Sequence, residues 1–154
     1  MPLCAANIRS LSYCVARTNF HCRHCARWTP ALAVALPPNH EVLIEDEWQA
    51  VGANAFLFHV TELPKAARRR LLRLSPHFRL ARRTEAANSY WANHCAHCGH
   101  VVSDDELHCE PGGFMPSSES EAENIHLFSI PQVFSAVAAG HAPDPMFFGS
   151  MRKR

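Results

Sequence analysis

Two Cys-x-x-Cys pairs constrain what this chain can fold into more than any other feature of its sequence: Cys22-Arg23-His24-Cys25 and Cys95-Ala96-His97-Cys98. A two-residue gap lets one tight turn aim both sulfurs at a point while turn amides donate to them. Each pair therefore reads as half of a tetrahedral thiolate site for Zn2+, with Zn–S distances of about 2.3 Å. Gly99 follows the second pair and suits the positive φ that closes such a turn. Seven Cys is an odd number, and Arg9 and Arg17 interrupt the stretch where a secretory segment would be apolar. The thiols are thus expected reduced, in the cytoplasm, and not in a disulfide framework. Ala26 and Gly99, not His, follow the pairs, which excludes c-type haem attachment. Two pairs also differ from the single motif at a helix start used by thioredoxin-like proteins.

The separation of the pairs is unusual. The 69 residues 26–94 lie between them, where compact ribbons have about 15 to 20. Three arrangements follow: one shared site with a long insertion, two sites completed by histidines from His21, His24, His94, His97 and His100, or no metal. The expectation is the shared site, with Cys22, Cys25, Cys95 and Cys98 as ligands, the histidines on the knuckle surface, and one structural Zn2+ as cofactor; iron is the other occupant that such thiolates accept. Cys4, Cys14 and Cys109 are left over and read as small buried hydrophobes.

With 47% hydrophobic and 19% charged residues, the 154 residues suffice for one core. No apolar run approaches a membrane span, so no membrane partner is expected. The fold class expected is α+β: a single domain, 1–154, of zinc-ribbon-like antiparallel strands, with 12–36 and 88–130 as a split ribbon core. Residues 40–87 are then an insertion and 140–154 a poorly ordered, Pro- and Gly-rich tail. Strands are expected near 12–16, 29–36, 55–60, 78–82, 89–93 and 125–130, and a short closing helix over 131–139. In the insertion, Leu63, Ala67, Leu71 and Leu74 form one stripe of a helix at about 64–74, begun by Pro64 and ended by Ser75-Pro76.

Charge is segregated along the chain. From Lys65 to Arg83 there are eight basic and no acidic residues, whereas Asp104 to Glu123 holds seven acidic residues and no Lys or Arg. Arg68, Arg69, Arg70, Arg73, Arg79, Arg82 and Arg83 form the candidate partner-binding set, because guanidinium forks suit phosphate. The plain alternative is a solvated face neutralised by the chain's own acidic loop. Asp104, Asp105, Glu106, His108 and Glu110 are the one cluster suited to metal-assisted hydrolysis. The three Trp, at 28, 48 and 91, read as core or core edge.

The run Tyr90-Trp91-Ala92-Asn93-His94-Cys95-Ala96-His97-Cys98-Gly99, followed by Asp104, Leu107-His108 and Glu110-Pro111-Gly112-Gly113-Phe114, resembles a pattern in small bacterial zinc-ribbon proteins of uncharacterised function. Cys22-x-x-Cys25, Thr29 and the apolar run to Leu36 resemble their first knuckle. The resemblance covers about residues 20–36 and 88–116; it implies two knuckles in one domain and no particular activity. The resulting expectation is a non-catalytic zinc-binding module that binds nucleic acid through its Arg-rich segment. The alternatives are a regulator or accessory factor meeting an acidic protein partner, and a metal-dependent hydrolase built on Asp104 to Glu110.

Overall fold

The computed structural model describes residues 6–82 and 89–154, without the side chain of Arg82. The chain runs β1 (Ile8–Ser10), β2 (Tyr13–His21), β3 (Trp28–Leu36), β4 (His40–Ile44), β5 (Glu47–Val51), β6 (Ala55–Glu62), α1 (Lys65–Leu74), β7 (Phe78–Arg82) and β8 (Ser89–His94). It continues with β9 (Val101–Val102), α2 (Asp104–His108), α3 (Glu119–Ala122), β10 (His126–Ile130), β11 (Phe134–Pro143), a 3₁₀ turn at Phe148–Ser150 and β12 (Arg152–Lys153). The fold is a strand-rich α+β fold, and none of its described helices is long and apolar enough to cross a membrane.

Nine strands form one mixed sheet in the order β12-β10-β2-β3-β6-β11-β1-β4-β5, and β7-β8-β9 form a second. Every pairing is antiparallel except that of β10 with β12. β3 is an interior strand between β2 and β6, and its apolar run buries both faces, as a strand flanked on both sides by layers must. Leu32, Val34 and Leu36 enter one core cluster while Ala31, Ala33 and Ala35 enter the other, which is the period of two in side-chain direction. On the first face, α1 lays Ala67 and Leu71 against Leu63, Phe78 and Phe134; the stripe read from the sequence is the buried one. On the second face the small alanines leave room for Phe20, Phe56 and Phe114.

Several expectations change. The closing helix over 131–139 is instead β11, whose residues from Phe134 to Gly140 alternate between buried and less buried and pair with β6 and β1. Ala favours helix locally, but here two neighbouring strands supply the hydrogen bonds. The stretch 40–87 contributes β4, β5 and β6 to the large sheet, β6 lying between β3 and β11. The terminal stretch continues β11 and then pairs β12 with β10, with Met151 buried. Residues 117–123, whose Ser- and Glu-rich composition reads as a polar loop, instead contain α3, capped by Ser118, whose hydroxyl accepts from the Glu121 amide at 3.1 Å. Cys109 is exposed and Cys14 half-buried, while Cys4 lies outside the described residues. Trp28 is no core residue: it is 64% exposed.

The topology brings the two knuckles together. β2 and β3 pair from Cys14↔Ala35 to His21↔Trp28, leaving Cys22 to Arg27 as the tip of a hairpin. β6 pairs with β3 only over Val34 to Leu36, so the lower half of that edge of β3 is open to β8. Buried Asn93 on β8 fills it, donating from Nδ2 to the Leu32 carbonyl at 2.9 Å and accepting the Leu32 amide on Oδ1 at 2.8 Å. This side chain behaves as one residue of an added strand, and it places the second knuckle, directly after β8, beside the first.

Candidate metal centre

The two knuckles share a backbone pattern. In the first, the Ala26 amide donates to the Cys22 carbonyl and the Cys22 amide to the Arg27 carbonyl, both at 2.8 Å. In the second, Gly99 donates to Cys95 at 3.0 Å and Cys95 to His100 at 2.8 Å. The residue after each second Cys is left-handed, Ala26 with φ 62° and Gly99 with φ 78°. Glycine takes that conformation freely, whereas alanine is strained there; no sequence signal marked Ala26 as its counterpart.

The four sulfurs of Cys22, Cys25, Cys95 and Cys98 lie within 4.8 Å of one another. Cys22 Sγ is 3.7 Å from Cys98 Sγ, and Cys25 Sγ is 3.7 Å from Cys95 Sγ. These are the wrong distances for disulfides, and the four are free thiols. They match the edge of a tetrahedron, about 3.8 Å, generated by Zn–S bonds of about 2.3 Å. The four cysteines therefore fit a metal ion, and no histidine belongs to the cluster.

Electrostatics points the same way. Burial disfavours the Cys95 thiolate, yet the amides of Cys98 and His97 donate to its sulfur and bring its pKa down to about 6. The His100 amide likewise lowers Cys98, but burial and the three neighbouring sulfurs prevail and push it up to about 12. Burial raises Cys25 as well. One thiolate is thus stabilised by its turn, while full ionisation of the set needs a cation at its centre.

The surrounding groups join the knuckles and do not enter the cluster. Thr29 Oγ1, fully buried, accepts the Ala96 amide at 3.0 Å. His97 donates from Nε2 to the Trp28 carbonyl at 3.2 Å, and the rings of His24 and His100 stack with centroids 3.5 Å apart. His94 donates from Nδ1 towards the carbonyls of His77 and Ala92, and burial, then Arg79, lowers its pKa. His21 sets its ring edge against Trp28. Arg23 pairs with Glu110 at 2.9 Å, tying the first knuckle to the loop after α2.

The cluster considered for hydrolysis is divided: Asp104 and His108 stay together, whereas Asp105 and Glu110 turn to other partners. Ser103 caps α2 by accepting the Glu106 amide at 3.2 Å. Asp104 and His108, one helical turn apart, face inward towards β6, where they line a cavity of about 10 Å³ among apolar side chains. Asp104 accepts the His59 amide at 2.7 Å, holding β6 where His59 takes φ 50°. Burial, reinforced by Asp105, raises Asp104 to about 7. His108 is stacked between Phe58 and Phe114, and burial, then His59, lowers it to about 3. Asp105 is turned outward, with Oδ1 3.7 Å from His59 Nε2, and Glu110 is taken by Arg23.

The arginines separate into two kinds. Arg69, Arg73 and Arg79 are exposed, whereas Arg68 and Arg70 are half-buried. The Arg68 guanidinium lies 6.0 Å from the Trp91 ring centroid, and Arg70 donates to Gln132 Oε1 at 3.3 Å. Arg82 ends β7, and Arg83 lies outside the described residues. Comparison with protein-family models, with curated proteins and with solved structures found no match to this chain.

Proposed function

We propose that this chain is a non-catalytic module with one structural zinc, held by Cys22, Cys25, Cys95 and Cys98, that binds nucleic acid through the arginines of α1 and β7. The observation that carries the reading is the lack of internal neutralisation. Among the described residues, the ion pairs are Arg9 with Glu41, Arg23 with Glu110 and His59 with Asp105. The acidic segment 104–123 therefore supplies no partner to Arg68, Arg69, Arg70, Arg73 or Arg79. Exposed guanidiniums without carboxylates suit phosphate, which takes their forks two bonds at a time. α1 is anchored by Ala67 and Leu71, so its outer arginines stand on a fixed element.

Such contacts release counterions, so affinity falls with salt. Titrating the protein against short single and double strands of RNA and DNA tests the reading. Binding at about 50 mM salt is expected, and Arg69→Ala with Arg73→Ala should reduce the log–log salt slope by about 1 to 2. No binding to any of the four at that salt overturns it.

A further inference from the structure

A second basic surface lies along β2, β10 and β12. His126 at the start of β10 stands in register with Arg17 on β2 and with Arg152 on β12, so the three occupy one row across adjacent strands about 4.8 Å apart. Arg154, fixed by its amide to the Leu127 carbonyl at 2.8 Å, turns back and donates from Nε to His126 Nδ1, also at 2.8 Å. The imidazole accepts there, so in its neutral form its Nε2 carries the proton and is a donor. Burial, then Arg154, Arg152 and Arg17, lowers the His126 pKa. None of these three arginines has an acidic partner among the described residues. Gathering three like charges around one imidazole is unfavourable unless an anion sits among them.

Arg17 and His126 of this row line a concavity of about 250 Å³ together with Thr18, Asn19, Asn124 and Phe128, with no carboxylate in its lining. Thr18, Asn19 and Asn124 also line a neighbouring concavity of about 140 Å³, closed on its far side by Trp28 and by the backbone of Gly112 and Gly113. This groove follows the part of β2 beyond Arg17, where β10 no longer covers the strand edge. Its polarity changes along its length: cations at one end, two carboxamides in the middle, and an indole at the other. Trp28 keeps 64% of its surface exposed although it lies beside a packed knuckle. Glu121, the carboxylate at the indole end, is committed to the Ser117 amide.

We propose that this groove binds a nucleotide unit, its phosphate over the row of Arg17, His126 and Arg152, its base against Trp28, and its polar edges towards Asn19 and Asn124. Phosphate takes guanidinium forks, carboxamides satisfy both donors and acceptors of a base, and an indole offers a stacking face. The unit comes either from a free mononucleotide or from a single strand. The proposal extends the nucleic-acid reading above but stands on different side chains.

Titration of the full-length protein with adenosine monophosphate, with a short single-stranded oligonucleotide and with adenosine, followed by tryptophan fluorescence, tests it. Saturable quenching by the mononucleotide, by the strand, or by both is expected, with adenosine at least about tenfold weaker because the charged contacts are missing. Arg17→Ala with Arg152→Ala should weaken binding about tenfold or more, and Trp28→Ala should abolish the quenching. Arg9→Ala, whose guanidinium pairs with Glu41 on β4, should change nothing. If the double arginine variant fails to fold, Trp28→Ala carries the test, since an exposed ring contributes little packing. Saturable binding by neither phosphate ligand, unchanged binding in the variants, or adenosine equal to its phosphate overturns the groove. Mononucleotide binding without binding of any strand or duplex upholds the groove and refutes the α1 reading. Strand binding unaffected by the groove variants does the reverse.

Discussion

The first knuckle and the second have nearly the same backbone, and both are hairpin tips, but their ladders differ greatly in length. The first is the tip of a hairpin whose strands pair over eight register positions from Cys14↔Ala35 to His21↔Trp28. The second is the tip of the β8–β9 hairpin, which pairs over only two positions, Asn93↔Val102 and His94↔Val101, and polar contacts join it to the large sheet: Asn93 on Leu32, Ala96 on Thr29, and Asp104 on His59. A hairpin brings its own tip into place because the turn and the ladder are local. A partner 70 positions away must be fixed by groups that are costly to leave unpaired. The comparison teaches that the metal centre is built from one self-sufficient half and one half that the rest of the fold has to deliver.

The largest expected effect comes from removing one ligand of the site that the two halves share. Cys95→Ser, or strong chelation, should eliminate a stoichiometric zinc and lower the thermal midpoint by tens of degrees, because site formation and folding are linked. Elemental analysis beside thermal unfolding checks it. A Cys95→Ser protein as stable as the parent would show that the delivered half does not need the metal.

Next comes the contact of Asp104, where the pH dependence has a definite sign. Its pKa is raised from 3.8 to about 7, so its contribution is full below 3.8 and is lost as pH rises through 7. That of His108 is lowered from 6.5 to about 3, so its contribution is full above 6.5 and is lost as pH falls towards 3. The slopes oppose and nearly cancel between 3.8 and 6.5. Asp104→Asn should therefore leave stability rising with pH up to about 6.5 and add about 4 kcal/mol above pH 7, at about 1.4 kcal/mol per pK unit. His108→Gln should leave stability falling between about pH 4 and 7. Denaturant midpoints measured across this range check both, and level profiles in the two variants would remove Asp104 and His108 from the account.

Asn93→Ala should destabilise by about 2 to 4 kcal/mol, since it leaves the Leu32 amide and carbonyl buried and unpaired. The same change ought to weaken zinc retention in a chelator competition, as β8 no longer holds the second pair in position. Loss of stability with unaltered zinc affinity would show that the delivery is made elsewhere. The smallest effects sharpen the likeness of the knuckles: Ala26→Gly should stabilise and Gly99→Ala destabilise, each by about 1 kcal/mol, because both positions are left-handed. Equal and opposite shifts in the unfolding midpoint are the expected pattern.

Local chemistry was legible wherever it depends on residues close in sequence. The knuckles follow from the spacing of Cys22 with Cys25 and of Cys95 with Cys98, and the apolar run through Leu36 marks a strand buried on two faces. The stripe Leu63, Ala67, Leu71 marks the inner side of α1 within one residue of its observed start. Asn93 stood in the quoted run Tyr90 to Gly99, but nothing there told that its carboxamide completes β3. The helix expected at 131–139 failed because Ala136 and Ala138 are placed by β6 and β1, both distant in sequence. Trp28 looked like a core residue by type, and only its position at the end of β3, past the last covering strand, leaves it exposed.

The sequence by itself determined the thiolate donors, the turns that present them, the apolar strand β3 and the buried face of α1, since each rests on spacing within a few residues and on side-chain chemistry. The tertiary structure alone decided that the two pairs meet, that the acidic segment leaves the arginines of α1 unneutralised, and that Arg17, Arg152 and Arg154 gather around His126. The physical reason is the same in each case. Proximity between residues far apart in the chain is set by strand pairing and by the burial of polar groups, and neither leaves a local signature.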